Sequence, residues 1–436
     1  MKFFSSKNRP FHLGPYPLER LPRQDGAPDL SAVPTMQPVT FRTPASENLS
    51  NAMVRYQAML DAIRDGMVKK EVAEIPTDSE ERSRHLKSFG YYQDASQVGI
   101  CKLNPSMILD SPVSNPDMGD IGQLINSIQT KTLAAGIDLV MAELKVAMNS
   151  PPKSINHHTD VIVFLYEYPR DPMEGEAGYN WLQDSQRQRA CLRAAETAVI
   201  VSNYIRLLGF DACAHSGSCS DVDLNKLAVV SGLAQVKSRS KGPVVSNPYT
   251  GTRFGLSAVT TTMELSSDRA LANISGPLDY LRSHGPAWWL GYGTSKNKSN
   301  QLEYKNRAFK DGAFPFEKIK RVDSPTTLID EPRIPRVPKR TDMFARAIFG
   351  DMGTSVQEGA KNGNYVRKSP TSFAARRPLA AFVLLQDGPS AERGSEQAKN
   401  KQENADNIKA ALYYLGADAV GISRCPEWAY YSHNAL

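Results

Sequence analysis

The chain has 436 residues, 41% of them hydrophobic and 22% charged, with a formal net charge of +6, ample material for two or three buried cores. Lys and Arg are scattered, with no run longer than Lys69-Lys70 or Arg376-Arg377, so nothing reads as a nucleic-acid-binding stripe. No stretch approaches eighteen apolar residues, so no spanning helix and no membrane partner are expected. The opening "MKFFSSKNRPFHLGPYPLERLPR" lacks the apolar segment of an export signal. Five cysteines, Cys101, Cys191, Cys213, Cys219 and Cys425, are odd in number and mostly far apart, which argues against a disulfide framework and for a reducing cytoplasm.

Residues 1–48, rich in Pro and Arg, read as an extended arm wrapping a domain. In 49–66, Met53, Tyr56, Met59, Leu60 and Ile63 recur at helical spacing. A second helix follows the start signal Asp78-Ser79-Glu80-Glu81 and runs into the short buried strand "SQVGICKL". A helix broken near Gly136 comes next, then "DVIVFLYEY" (160–168), a continuous β-branched and aromatic run with the pattern of a central strand. A long helix ends at Gly209; "DACAHSGS" reads as strand and loop, "VDLNKLAVVSGL" as a short helix, and "RFGLSAVTTTMEL" as a strand. Strands separated by long helices imply an α/β or α+β sandwich. This first module spans 49–275. Residues 276–342, with Trp288, Phe309, Phe314 and Phe316 ahead of "DEPRIPRVPKR", read as a lid loop and Pro-rich linker. Residues 343–436 begin a second module: a helix at "DMFARAIFGDMG", a strand-like run at "RRPLAAFVLLQDGP", then helix, turn and strand in "ENADNIKAALYYLGADAVGI".

The chain carries an internal repeat. Residues 84–107 lie over 406–429 without a gap, matching Lys87 to Lys409, Tyr91-Tyr92 to Tyr413-Tyr414 and Val98-Gly99-Ile100 to Val420-Gly421-Ile422. On this reading the second copy stops just after its first strand, which would expose an unfinished sheet edge.

The end "LGADAVGISRCPEWAYYSH", the span "AAETAVIVSNYIRLLGFDACAHS" with "LAVVSGLA", and the opening "FHLGPYPLERLPR" resemble the cobalamin-dependent reductive dehalogenases, closest to the soluble catabolic branch acting on halogenated phenols. The resemblance implies an α+β fold: a duplicated nitroreductase-like module with a degenerate first copy and an incomplete, cobalamin-binding second copy. It implies an oxidoreductase using cobalamin and two [4Fe-4S] clusters, a halogenated aromatic substrate, and an electron-donating redox protein or reductase. It also implies that this chain is the N-terminal part, inactive alone and holding no cofactor. The family's proton-donating tyrosine falls on Tyr430 or Tyr431, and the Lys and Arg that assist it lie past Leu436. A phenol of pKa about 10 needs such cations to stabilise the phenolate it leaves. "SGLAQVKSRSKG" stands where the active copy has a glycine-rich cofactor loop, and its Gln, Val and Lys break that pattern. No C-x₂-C-x₂-C-x₃-C-P run is present. Two further readings are a non-catalytic corrinoid-handling or scaffold protein and a flavin nitroreductase relative, since one fold serves several chemistries.

Trp288, Phe309, Phe314 and Phe316 are candidates for an aryl-substrate pocket, which is mainly apolar with few polar groups. No metal site is expected: Cys213 and Cys219 flank His215 at loose spacing, and His157-His158 precede a strand with no acidic partner in register, so a turn is their role.

Overall fold

The computed structural model describes residues 9–39, 42–43, 47–127, 153–274, 295–301, 304–323, 326–362 and 400–434, with single positions between. Its centre is an antiparallel sheet of four strands: β1 (Gln97–Lys102), β3 (Asp160–Glu167), β8 (Phe254–Thr261) and β4 (Ala212–Ser216), in that order across the sheet. Two small pairs accompany it, β2 (Ile108–Val113) with β5 (Ser220–Val222) and the hairpin β6 (Gln235–Arg239) with β7 (Gly242–Ser246).

All eight residues of β3 are buried, because both faces of the sheet are covered. Strand side chains alternate, so Ile162, Phe164 and Tyr166 point to one core and Val161, Val163 and Leu165 to another. The first core packs against the helix Gln186–Leu207, backed by Leu49–Ala62 and Ser79–Tyr92. Asn48 and Asp78 cap those two helices through Ser50 and Glu80 N–H groups. The second core is closed by the short helix Leu224–Val230 and by the arm, which buries Tyr16, Leu18, Leu21, Val33 and Met36.

Beyond residue 294 the described chain is a series of short turns followed by the helices Met343–Phe349, Thr354–Asn362 and Lys401–Tyr414. The last helix packs on the 3-10 turn Phe309–Asp311 in a small cluster of Leu182, Phe309, Ala410, Ala411 and Tyr414.

Two expectations need correction, and one element went unread. The segment 417–422 is not a strand: Ile422 is 51% exposed and no described strand lies beside the segment to take its backbone bonds. "SGLAQVKSRSKG" contains one arm of the β6–β7 hairpin, a strand pair hidden from pattern reading by its run of Lys237, Ser238 and Arg239. Finally, His157 and His158 do have an acidic partner, Asp211, brought from the turn before β4. The strand-like run 376–389, apart from Pro378, and the region around Gly136 lie outside the described residues.

Candidate functional site

A cleft of about 480 Å³ opens between the first module and the Lys401–Tyr414 helix. Glu167 ends β3 at its floor, 9% exposed, and accepts hydrogen bonds from Tyr16 Oη (2.8 Å), Ser295 Oγ (2.5 Å) and Asn297 N–H (2.9 Å). Burial, and then the Glu167 charge, drive the Tyr16 phenol well above its ordinary pKa, so Tyr16 stays a donor.

The walls are cationic and aromatic. Arg170 makes a two-pronged pair with Glu176 (2.9 and 3.1 Å), donates to Arg307 O, and lies 3.8 Å over the Phe309 ring. Arg189, in the first turns of the long helix, donates to Leu415 O and forms no ion pair among the described residues. Burial, followed by the neighbouring Arg193, pulls its pKa down to about 10, so it remains charged near neutrality. Tyr304, Phe309, Tyr413 and Tyr414 supply ring surface. A half-buried cation with no ion pair among the described residues, beside aromatic faces, suits an anionic, planar guest.

The candidate residues scatter over this region. Phe309 is buried, lines the cleft and meets Tyr414 edge-on at 5.4 Å. Phe314 is 42% exposed, with Phe316 edge-on to it at 6.3 Å, and neither lines the cleft. Trp288 lies outside the described residues. Tyr430 and Tyr431 are exposed on the tail, away from the cleft lining. Tyr431 Oη donates to Asp342 Oδ2 at 3.1 Å and accepts from Lys339 Nζ at 3.4 Å; that ammonium also sits 4.5 Å over the ring. A cation therefore stands beside Tyr431 from the linker side of the chain. Tyr430 neighbours the Cys425 thiol, which raises its pKa.

The described residues do not fit an iron–sulfur cluster or a corrinoid. Cys101, Cys191, Cys213 and Cys219 are buried single thiols and Cys425 is exposed, and the described residues bring no set of four cysteines together. Cluster ligands must be thiolates. The β6–β7 hairpin offers cross-strand bonds and a lysine where a glycine cradle would be needed.

Pattern reading missed Arg170, Arg189 and Glu167, whose roles depend on partners 100 or more residues away. It also missed a second repeat that was present as a signal. "RPFHLGPYPLER" (9–20) returns as "RAFKDGAFPFEK" (307–318), with Arg, Phe, Gly, Pro and Glu in the same places. Its offset is 298 residues rather than 322, so a search at one fixed spacing passes over it.

No protein-family model and no curated protein matches this sequence. Among solved structures, the catabolic reductive dehalogenase NpRdhA is 32% identical, with a TM-score of 0.77, over 100% of this chain and 55% of that one. Its complex with 3-bromo-4-hydroxybenzoic acid gives 31% identity and a TM-score of 0.76, over 100% of this chain and 54% of that one. A reductive dehalogenase structure said to suggest a mechanism for B12-dependent dehalogenation gives 32% and 0.76, again over 100% of this chain and 55% of that one. The chain thus spans about half the length of these relatives. By fold and by residue identity along its whole length, the chain belongs with the reductive dehalogenases.

Proposed function

We propose that this chain is part of a cobalamin-dependent reductive dehalogenase that removes halogen from halogenated phenolic compounds in the cytoplasm. The observation that carries this reading is the match across 100% of the chain at 32% identity and a TM-score of 0.77. Cobalamin and the two [4Fe-4S] clusters belong, on this reading, to the portion of the longer relatives that the chain does not cover, and a redox protein or reductase supplies electrons. A duplicated nitroreductase-like module is supported by the paired contacts of the two repeats: Val98 N–H donates to Tyr91 Oη at 3.2 Å, and Val420 N–H to Tyr413 Oη at 3.0 Å.

Tyr431 is the better candidate for the proton donor, because Lys339 Nζ lies 3.4 Å from its hydroxyl and would stabilise the phenolate left behind. Phe309 is the best-supported aromatic candidate for the substrate side, since it alone of the three described rings lines the cationic cleft.

The test is halide release. The gene's complete reading frame, expressed without oxygen and with cobalamin, is expected to release bromide from 3-bromo-4-hydroxybenzoate when given reductant. Bromide no faster than with free cobalamin would overturn the proposal. In that protein Tyr431→Phe is expected to lower kcat about 100-fold with the cobalamin spectrum unchanged. A loss confined to Tyr430→Phe would move the role to Tyr430.

A further inference from the structure

The end of the sheet brings two adjacent histidines against an aspartate from more than fifty residues further along the chain. His157 and His158 occupy the turn before β3, and Asp211 sits just before β4. The strand between them, β8, pins both turns: Asp160 and Ala212 each pair with Thr261, and Thr261 Oγ1 donates to Asp211 O at 2.7 Å. The three side chains therefore stand on the rigid edge of a buried sheet, not on a free loop.

Their donor atoms lie close together. Asp211 Oδ2 lies 2.9 Å from His157 Nε2 and 3.7 Å from His158 Nε2, and one donor atom from each of the three side chains falls within 4.8 Å of the others. Ligand atoms held at about 2.0–2.1 Å in a tetrahedral zinc site stand about 3.3 Å apart, between those two values. The other carboxylate oxygen, Oδ1, already accepts the Ala212 N–H at 2.9 Å, leaving Oδ2 to face the rings.

An independent observation points to a ligand. The His158 side chain is 2% exposed, yet its Nε2 has no hydrogen-bond partner. Its Nδ1 lies 2.8 Å from Thr260 Oγ1. In the tautomer that donates Nδ1–H to that hydroxyl, the Nε2 lone pair is turned toward Asp211. A second hydrogen bond of this kind is how proteins orient a metal-bound imidazole. The Thr260 oxygen can accept from His215 Nε2 (3.0 Å) as well, because a hydroxyl has two lone pairs. His157 is 53% exposed, so a fourth position is open to water.

We propose that His157, His158 and Asp211 form a binding site for a borderline divalent cation of the zinc and nickel class, clamping the turn before β3 to the turn before β4. Two imidazoles and one carboxylate favour such a cation over magnesium or calcium, which prefer oxygen ligands. The neighbouring Cys213, His215 and Asp221 do not form a second site, because the Arg64 guanidinium already fills that space, paired to Asp221.

The test is zinc chloride titrated by calorimetry into tag-free, chelator-stripped 436-residue protein. One zinc per chain is expected, with affinity weakened at least about tenfold in His157→Ala and in Asp211→Asn and unchanged in His433→Ala, which alters a distant exposed histidine. Cobalt in place of zinc should give the intense visible bands of a tetrahedral site in the wild type and lose them in His157→Ala. His157 is largely exposed, so that variant will fold even if Asp211→Asn does not. Absence of a one-to-one zinc isotherm, or equal zinc affinity in His157→Ala, would overturn the proposal.

Discussion

The segments 79–102 and 401–424 begin alike and end differently. Each helix closes with the same turn: Gln93 and Leu415 N–H groups reach Phe89 and Ala411 carbonyls, and Ala95 and Ala417 reach Gly90 and Leu412. Both chains then turn through a left-handed residue, Asp94 (φ 68°) and Gly416 (φ 107°). Both place a valine N–H on a tyrosine hydroxyl. The arms agree too: Arg9 Nε donates to Gly14 O at 2.8 Å and Arg307 Nε to Gly312 O at 3.0 Å, each with a carboxylate partner ten residues on.

After that the copies part. Val98 and Ile100 pair with Phe164 and Ile162 of β3 and are buried, whereas Val420 and Ile422 have no strand beside them among the described residues. Burial in the arms is exchanged: Tyr16 is 2% exposed and Phe314 42%, while Phe11 is 56% exposed and Phe309 5%. A helix and its closing turn satisfy their own backbone within about twenty residues, so they recur wherever the sequence recurs. A strand borrows its hydrogen bonds from another strand, so it appears only where one is supplied.

That contrast can be broken by experiment. The largest difference is expected between Ile100→Asp and Ile422→Asp. The first buries a carboxylate in the sheet and should cost 4 kcal/mol or more, roughly the scale of an unpaired buried charge. The second should stay within about 0.5 kcal/mol, the usual range for a surface change. Urea denaturation reads both, and comparable losses would mean that 417–424 is packed as a strand.

Gly14→Ala and Gly312→Ala come next. Both glycines have left-handed φ (66° and 64°), and an added Cβ would lie 2.2 Å from the Tyr91 ring or 2.5 Å from the Tyr413 ring. Each should cost about 1–3 kcal/mol, more at Gly14 because Tyr91 is fully buried and cannot swing aside. A neutral Gly14→Ala in the same melts would refute the close docking of arm on helix.

A smaller effect separates Tyr91→Phe from Tyr413→Phe. Removing the Tyr91 hydroxyl strands the buried Val98 N–H at a cost of about 1–2 kcal/mol, while Val420 can turn to water and lose less than about 0.5. Equal losses in urea would show that both turns are equally closed to solvent.

The smallest is a pH effect at the second arm. The Arg307 guanidinium hydrogen-bonds Glu317 and holds its carboxyl at about 2. The folded value lies below the unfolded one of about 4.3, so the pair contributes above that range and its contribution fades as pH falls toward 2. Carboxyl NMR titration should find the Glu317 midpoint near 2 in the native chain and near 4.3 in Arg307→Ala. An unchanged midpoint would mean that another group sets it.

Much of the core could be read from residue patterns. The buried run at 160–168, the Asp78 start signal and the Gly209 and Gly232 stops all depend on neighbours a few residues away, and each marks an element at its expected place. Their alternation left α/β and α+β both open, and the antiparallel pairing of the four strands decides for α+β. The cleft was illegible for the opposite reason: Arg189 meets Leu415 and Arg170 meets Phe309 only after the chain has crossed the molecule. The same holds for His157 and His158, whose partner Asp211 lies more than fifty residues on. Trp288 shows neither success nor failure, since it lies outside the described residues.

By itself the sequence determined the local pieces: helices, caps, the Tyr–Val turn in two copies, the arm in two copies, and the likeness to reductive dehalogenases. Only the tertiary structure decided which repeat completes a strand, which arm aromatic is buried, that Lys339 stands beside Tyr431, and that an aspartate joins the two histidines. The division follows from the range of the forces. Helices and turns close on contacts within one or two turns of chain, whereas pairing, burial and ion contacts depend on surfaces that meet only when the whole chain has folded.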